Sequence, residues 1–301
     1  MNPKVTLGIL LTSSISFAQL ESGSTSSSTG NVTKGSTDVT ADNTAAAAQK
    51  ADKKDKITEV SFNLGGLFAA GNSRSAAMTA GVRSRVKRGD HQFTGAAQAN
   101  YARAATAVNG SEAGQPTTTT VENVQALLRY DWFFAKNWSL FLQTAGRHDR
   151  FQGLELRYQL APGVAYYFMQ NDKVQLWAEA GYDFQYDIRS DDYIKNADGT
   201  PKLDTDGKPL EKTEAVHNAR LFFGLDHKLF KGIEFIASVE YLQDLADGNT
   251  FRFVFDSAIK AQIAKHFALA TAVTVLYENN PLPGVDNTDV ISAVSLVYNL
   301  F

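Results

Sequence analysis

Apolar and polar positions alternate along almost the whole chain from residue 57 onward. In the segment KVQLWAEAGYDFQYDI, residues 173–188, Val174, Leu176, Tyr182 and Phe184 share one phase, while charged and amide side chains dominate the other. Side chains of a β-strand point to alternate faces, so a period of two predicts a strand. This strand keeps its phase for at least fifteen residues, whereas strands of soluble proteins commonly run about 5–6 residues. Its length argues against a soluble sandwich.

The alternation predicts twelve strands. They lie near residues 57–70, 74–88, 91–105, 118–134, 137–150, 154–169, 173–190, 212–229, 232–246, 250–264, 267–279 and 286–301. Every second connection is short, and those between are often long, notably at 104–117 and 190–211. An even number of strands with short turns at one end and longer loops at the other is typical of bacterial outer-membrane barrels. We therefore expect an all-β fold, a twelve-stranded antiparallel transmembrane β-barrel with both ends on the periplasmic side.

The prolines test this assignment of strands. Pro281 and Pro283 lie in a connection, as expected, because proline has no N–H to donate to a strand ladder. Pro162 lies inside the sixth predicted strand, so we expect a bulge or an early break there.

The two faces of the predicted strands differ sharply. One phase is almost free of charge and includes Leu140, Leu142, Leu221, Phe223, Leu225, Ile233, Phe235, Ala237, Val239, Tyr241, Phe251, Phe253 and Phe255. A soluble barrel would bury this face in an oily interior wider than that of a lipocalin. In a membrane the same pattern places apolar side chains against lipid and charged side chains in the lumen.

The charged phase is the candidate functional site. We predict a lumen charge network formed by Arg83, Arg85, Arg129, Asp131, Arg147, Asp149, Glu179, Asp183, Arg220, Asp226, Glu240, Arg252, Asp256 and Lys260. Acids and bases are roughly balanced, which favours pairs that close the lumen, because a balanced lumen offers no field to steer a solute. The alternative is that these charges line a narrow polar conduit.

Composition further limits the partners, metal sites and catalytic groups that the chain can have. The net charge is −3, which gives no reason to expect a nucleic-acid partner. There is no cysteine, which excludes disulfide frameworks, thiolate metal sites and cysteine nucleophiles. No metal site and no cofactor is predicted. Aromatic side chains such as Trp132, Trp138 and Tyr166 flank a predicted short turn, as expected of a membrane-interface girdle.

Residues 1–55 differ in composition from the rest of the chain. Residues 1–18 combine Lys4, a short apolar run and a Ser-Phe-Ala ending, which predicts a secretory signal peptide cut after Ala18. Residues 19–55 are rich in Ser, Thr, Gly and Ala and have few large apolar side chains, which predicts a disordered periplasmic linker. The barrel domain is then expected to span residues 56–301.

Four segments resemble a known family. They are Gly-Asn-Ser at 71–73, LAPGVAYYF at 160–168, EAGYDF at 179–184 and YENNPLPGVDNTDVISAVSLVY at 277–298. Together they resemble the outer-membrane family labelled salt-induced outer membrane protein, a domain of unknown function. The resemblance covers about residues 57–301 and implies an outer-membrane β-barrel with a role in salt or osmotic adaptation. It implies no catalytic residues, and the insertion at 190–211 looks peculiar to this chain.

A hydrolase at the outer rim is the enzymatic alternative. His148 and His217 are expected near that rim, and His217 could approach Ser190 across the seventh and eighth strands, with Asp191 or Asp192 nearby. A nucleophile needs a base within hydrogen-bond reach and a third group that orients the base. No oxyanion-hole arrangement is readable in the sequence. A non-enzymatic protein is therefore the favoured interpretation.

Two further motifs have ordinary explanations. Aligning Gly207 with the invariant glycine of a calcium-binding EF-hand loop puts Lys202 at the first ligand position and Thr213 where glutamate is required, so the match fails. The tripeptide Arg-Gly-Asp at 88–90 spells an adhesion motif, but Gly-Asp between alternating strands predicts a hairpin turn.

The last strand completes the prediction. Val294, Leu296, Tyr298 and Leu300 are expected to face lipid, and Phe301 lies out of phase with them. Two partners are predicted: the lipid bilayer, and the barrel assembly machinery, which is expected to read this strand. The favoured function is a non-enzymatic envelope protein with a charge-filled lumen, and the main alternative is a small-solute channel.

Overall fold

The protein is described by a computed structural model that covers residues 56–70, 74–105, 115–150, 153–196, 198–203, 207–279 and 287–300. These residues form twelve strands: β1 (Lys56–Ala69), β2 (Ser75–Arg88), β3 (His91–Ala105), β4 (Thr117–Ala135), β5 (Trp138–Asp149), β6 (Leu154–Gln170), β7 (Val174–Arg189), β8 (Thr213–Phe230), β9 (Ile233–Asp244), β10 (Phe251–Gln262), β11 (Phe267–Glu278) and β12 (Thr288–Asn299). The predicted signal peptide, linker, Gly-Asn-Ser turn and Phe301, and most of the proline-containing loop, lie outside the described residues.

The strands close into a barrel in which each strand pairs antiparallel with its neighbours in sequence. Closure is made by β1 and β12, whose register runs from Ser61 opposite Asn299 to Leu64 opposite Leu296. Glycines with positive φ, Gly89 at 58° and Gly232 at 79°, sit in two of the short turns, because tight hairpins need a left-handed residue. The predicted twelve-stranded antiparallel barrel is confirmed, and the predicted strand bounds agree with the observed ones within two residues.

The expected disruption at Pro162 is wrong. Strand β6 runs through it, with Pro162 directly opposite Leu142 of β5. On the β7 side the pairing lapses after Leu160 and resumes at Gly163 in the same register. Proline gives up one ladder hydrogen bond but its φ suits a strand. Gly181 of β7 accommodates the close approach, since a Cβ there would lie 2.5 Å from the Pro162 carbonyl oxygen.

The barrel wall separates the two predicted faces. On β5, Leu140 and Leu142 are 46% and 47% exposed on the outer surface, whereas Phe141 between them is 4% exposed and points inward. Closure leaves no strand edge unpaired, which is what a bilayer demands of a sheet. The fold is therefore an inside-out barrel, a transmembrane β-barrel of the outer-membrane type.

Aromatic side chains cluster on the outer surface near the strand ends. At the short-turn end, the ring of Tyr166 lies 4.7 Å from that of Trp138 and 5.0 Å from that of Phe168, between centroids. At the long-loop end, Phe251 packs between Tyr241 and Tyr277. Such rings with polar edges suit the two membrane interfaces.

The longest loop, residues 190–212, carries structure of its own. It contains a short helix, α1 (Asp191–Ile194), and two isolated bridges, Lys195 with Pro201 and Leu203 with Pro209. The Ser190 N–H donates to the Gly153 carbonyl at 2.7 Å, which ties the loop to the β5–β6 connection. No helix in the described part of the chain is long and apolar enough to cross a membrane.

Candidate functional site in the barrel lumen

Five charged side chains join across the middle of the lumen. Arg129 of β4 donates to Asp131 at 2.7 Å and to Glu179 of β7 at 3.0 Å. Arg220 of β8 donates to the other oxygen of Glu179 at 2.8 Å and to Glu240 of β9 at 2.5 Å. Glu179 therefore bridges two arginines, and the chain of contacts links four strands.

The Arg129–Glu179 contact spans the interior, because β5 and β6 separate the two strands in the barrel wall. Side chains of Arg129, Glu179 and Arg220 are all 0% exposed. Removing such charges from water costs several kcal/mol per ion, which is repaid only by close pairs and satisfied hydrogen bonds. The guanidinium group of Arg129 contacts both carboxyl oxygens of Glu179, and that of Arg220 joins Glu179 to Glu240, which supplies these close pairs.

A cluster of large apolar side chains surrounds these charges. It consists of Phe141, Ala165, Tyr167, Trp177, Phe222 and Ile236, with Phe133 packed against it. The Arg129 guanidinium carbon lies 3.9 Å from the centre of the Phe141 ring, and that of Arg220 lies 5.2 Å from the Phe222 ring. Cation–π contacts of this kind are strongest where water is absent. We call these apolar side chains and the five charges together the central layer.

Glycines on neighbouring strands make room for the rings. Trp177 of β7 is paired with Gly224 of β8, and a Cβ at Gly224 would lie 2.2 Å from the indole. Phe141 of β5 is paired with Gly163 of β6, where a Cβ would lie 2.4 Å from the phenyl ring. The rings therefore lie flat over glycine backbone on the inner wall. Sequence reasoning missed this cluster, although aromatic residues in the charged phase opposite glycine were the available signal.

The opposite wall of the barrel carries small side chains. Its buried inward residues include Ala258, Ala268, Ala270, Ala272, Ser295 and Val297 on β10, β11 and β12. All are less than 9% exposed, although their side chains are small. Neighbouring side chains therefore shield them from solvent.

A second layer of polar pairs lies toward the long loops. Arg157 of β6 binds Asp187 of β7 through two hydrogen bonds of 2.7 and 2.5 Å. Arg252 of β10 reaches across to Gln185 of β7 at 2.6 Å. Asp183 accepts from the side-chain amide of Asn218 at 3.0 Å. The remaining predicted charges of this region are paired locally: Arg147 with Asp149 at 2.8 Å, and Asp256 with Thr274 at 2.5 Å.

A cavity of about 610 Å³ lies at the short-turn end of the lumen. Its charged lining is formed by Glu59, Arg83, Arg85, Asp226, Lys228, Glu234, Lys260 and Lys265. Ile236 of the central layer also lines it, so this layer forms part of the inner boundary of the cavity. We call this cavity the vestibule. It holds four of the predicted lumen charges, which the structure separates from the central layer.

The structure does not bring together His217 and Ser190, the pair weighed as the enzymatic alternative. His217 is paired with Phe184, and Ser190 lies six residues further along β7, roughly 20 Å away at the rise of a strand. The His217 ring instead contacts the Tyr182 hydroxyl and packs at a tilt against the Phe184 ring. His148 Nδ1 donates a hydrogen bond to the Glu155 carbonyl, 2.9 Å away. Each histidine is engaged by its own hairpin.

The remaining motifs carry no site of their own. Residues 89–90 form the β2–β3 turn, as predicted, and Arg88 donates to the Ile57 carbonyl at 2.6 Å. Within the described ranges, no group of three or more His, Asp or Glu side chains could hold a metal ion.

Comparisons with solved structures give weak likenesses to membrane barrels. An outer membrane channel from Pseudomonas putida F1 is 9% identical, with a TM-score of 0.45, over 83% of this chain and 97% of that one. The NanC porin is 10% identical, with a TM-score of 0.44, over 81% and 98% of the two chains. The translocator domain of the autotransporter NalP from Neisseria meningitidis is 12% identical, with a TM-score of 0.41, over 84% and 90%.

Curated proteins give no match to this sequence. A family model described as "Protein of unknown function, DUF481" matches residues 62–300, which is almost the entire barrel. The matched range agrees with the extent of the resemblance stated above and excludes the segment before the first strand. The chain belongs to this family of unknown function.

Proposed function

We propose that the protein is a non-enzymatic outer-membrane barrel whose lumen is closed by the central layer. The observation that carries the proposal is the bridge from Arg129 through Glu179 to Arg220, which is fully buried and links β4, β7 and β8 inside the barrel. Ion pairs in this setting are rigid, because breaking one leaves a buried charge uncompensated. The protein therefore acts as a sealed element of the envelope and not as an open pore.

The outer membrane is the proposed location. The apolar outer surface and the aromatic groups near both ends of the barrel support it. The proposal includes export through the signal peptide at residues 1–18 and insertion by the barrel assembly machinery. In this orientation the short turns and residues 19–55 are periplasmic, and the loop at residues 190–212 is external.

Conductance in planar lipid bilayers tests the closed lumen. We expect no unit currents from purified wild-type protein, with insertion checked independently by the slower gel mobility of unheated, folded barrel. Stable single-channel currents would contradict the proposal and would favour the alternative of a small-solute channel. The specific observation that favours this alternative is the vestibule, which a conduit would use as its entrance.

The absence of catalysis is tested separately. His148 and His217 are the candidate histidines of the outer rim, and neither has a serine partner among the described contacts. We expect the purified protein to release no fatty acid from phospholipid vesicles. Hydrolysis that disappears in His217→Ala or His148→Ala would overturn the non-enzymatic assignment.

A role in salt or osmotic adaptation is the cellular part of the proposal. It is supported only by the family resemblance of the segments at 160–168, 179–184 and 277–298. We expect a strain that lacks the protein to grow more slowly than the complemented strain when sodium chloride is raised. Equal growth of the two strains at all salt concentrations would remove this part of the proposal and leave the barrel architecture untouched.

A further inference from the structure

The vestibule is large enough to hold a ligand. Its volume of about 610 Å³ lies within the 300–1,000 Å³ that small-molecule sites commonly have. Its lining comes from strands on both sides of the β1–β12 closure and from the β8–β9 and β10–β11 turns. Ile236 of the central layer lies in its lining, so this layer bounds the vestibule on its inner side, and the short turns lie at its other end.

The lining of the vestibule carries an excess of two positive charges. Five basic side chains line the vestibule, Arg83, Arg85, Lys228, Lys260 and Lys265, against three acidic ones, Glu59, Asp226 and Glu234. Arg85 is held by Glu59, through hydrogen bonds of 2.8 and 3.0 Å. A concave site with walls of low dielectric constant focuses the field of its excess charge. The vestibule is therefore an attractive region for anions, in a chain whose total charge is −3.

The bases converge from separate elements. Arg83 projects from β2, Lys260 from β10, Lys228 from β8 and Lys265 from the β10–β11 turn. Neutral hydrogen-bonding groups, those of Ser61, Gln262 and Asn299, complete the lining. Lysine offers a mobile point charge and arginine a fixed planar fork, and both bind oxyanions. A ligand with several negative oxygens could contact three strands at once.

We propose that the vestibule binds a small multivalent oxyanion, one that carries phosphate or carboxylate groups, from the side of the short turns. The inference rests on the proposed closed lumen, because closure makes the vestibule a terminal site and not a passage. Inorganic pyrophosphate and citrate are suitable probes, since they share high negative charge and differ in the chemistry of the acid.

Calorimetric titration of the purified barrel in non-ionic detergent, at fixed ionic strength, tests the proposal. We expect saturable binding of at least one probe, and the preferred probe identifies the acid class. Lys260→Gln removes one charge from the lining and should weaken binding by about tenfold, the equivalent of one charge-assisted hydrogen bond. Lys265→Gln should act in the same direction by a smaller factor, because Lys265 is exposed at the edge.

Lys231→Gln is the matched control. Lys231 lies in the β8–β9 turn at the same end of the barrel, is exposed, and does not line the vestibule. The control should bind the probes as the wild type does. Absence of saturable binding, or equal losses in Lys231→Gln and Lys260→Gln, would overturn the proposal, because either result means only diffuse attraction of anions.

The bilayer experiment separates this inference from the proposed function. A silent wild-type barrel that binds no probe would refute the vestibule site alone. A conducting wild-type barrel whose current is blocked by pyrophosphate, with Lys260→Gln less sensitive to the block, would refute the closed lumen and retain the site.

Discussion

The centre of the lumen and the outer rim hold ion pairs of similar length in opposite surroundings. In the centre, Arg220 and Glu179 meet at 2.8 Å with both side chains 0% exposed. At the rim, Arg150 and Glu122 meet at 3.0 Å with side chains 64% and 43% exposed. Distance alone would rank the two pairs as equals. Burial separates them, because water screens the outer pair and is excluded from the inner one.

The difference assigns separate tasks to the two regions. The central pair of Arg129 and Glu179 connects β4 and β7, which are not neighbours in the wall, so its loss affects the cross-section of the barrel. A rim pair orders a loop or a strand end and is expected to contribute less than about 1 kcal/mol. The same kind of substitution should therefore change the free energy of unfolding more in the centre of the lumen than at the rim.

The largest effect is expected from Trp177→Ala. The indole is fully buried in the central layer, so its removal should lower the free energy of unfolding by about 3–5 kcal/mol. It also empties part of the bore, and we expect currents in planar bilayers where the wild type is silent. Trp132→Ala, on the outer surface at 44% exposure, is the control and should leave the barrel silent. A silent Trp177→Ala barrel of wild-type stability would refute the structural role of the central layer.

A smaller loss is expected from Glu179→Gln. The substitution keeps the shape of the side chain but leaves Arg129 and Arg220 without the charge that bridges them. We expect the free energy of unfolding to fall by about 3 kcal/mol, measured by urea unfolding from lipid vesicles. Glu122→Gln makes the same change at the rim and should cost less than about 1 kcal/mol. Equal losses in the free energy of unfolding for the two variants would mean that water reaches the centre of the lumen.

Sequence reasoning predicted the barrel because strand order and facing follow from local alternation. The inward phase of Arg129, Glu179 and Arg220 was readable in the same way, but which charges meet was not. Arg129 and Glu179 are 50 residues apart and connect across the interior, so their contact depends on the curvature of the closed sheet. The separation of Ser190 and His217 was not readable for a related reason, since it depends on the register of the β7–β8 hairpin.

The packing of rings over glycine was also beyond local patterns. Trp177 and Gly224 are both unremarkable in their own strands, and only the pairing of β7 with β8 places one over the other. The error at Pro162 arose differently. The rule that proline inside a strand marks a bulge or a break was applied too strictly. A strand can give up one ladder bond where the neighbouring strand offers a glycine for close approach, as Gly181 does to the Pro162 carbonyl.

An intermediate effect is expected from Gly224→Ala, which tests this packing directly. The added methyl group would overlap the Trp177 indole, so we expect a loss of about 1–2 kcal/mol, as for other overpacked interiors. Gly146→Ala is the control, because a Cβ there meets nothing within 4 Å. It should be neutral or slightly stabilising, since alanine restricts the unfolded chain. A loss as large in Gly146→Ala would indicate a backbone effect and not a clash with the ring.

The smallest effect is expected at the rim, from the pH dependence of the 190–212 loop. Hydrogen bonds from Lys212 and Lys195 hold the pKa of the Asp191 carboxyl below its usual range. The pKa is thus lower in the folded protein than in the unfolded chain, at about 3.9. Its stabilising contribution is complete above the unfolded value and disappears as the pH falls through the folded one.

Carbon NMR of labelled aspartate carboxyls measures this shift. Lys212→Gln should move the Asp191 pKa back toward its ordinary value, because it removes the hydrogen bond that lowers this pKa most. Lys231→Gln, at the opposite end of the barrel, should leave it unchanged. The barrel itself should keep its stability in both variants, since the Lys212–Asp191 pair is exposed. A measured loss of barrel stability in Lys212→Gln would mean that the rim pairs help to hold the wall, and the contrast between rim and centre would then fail.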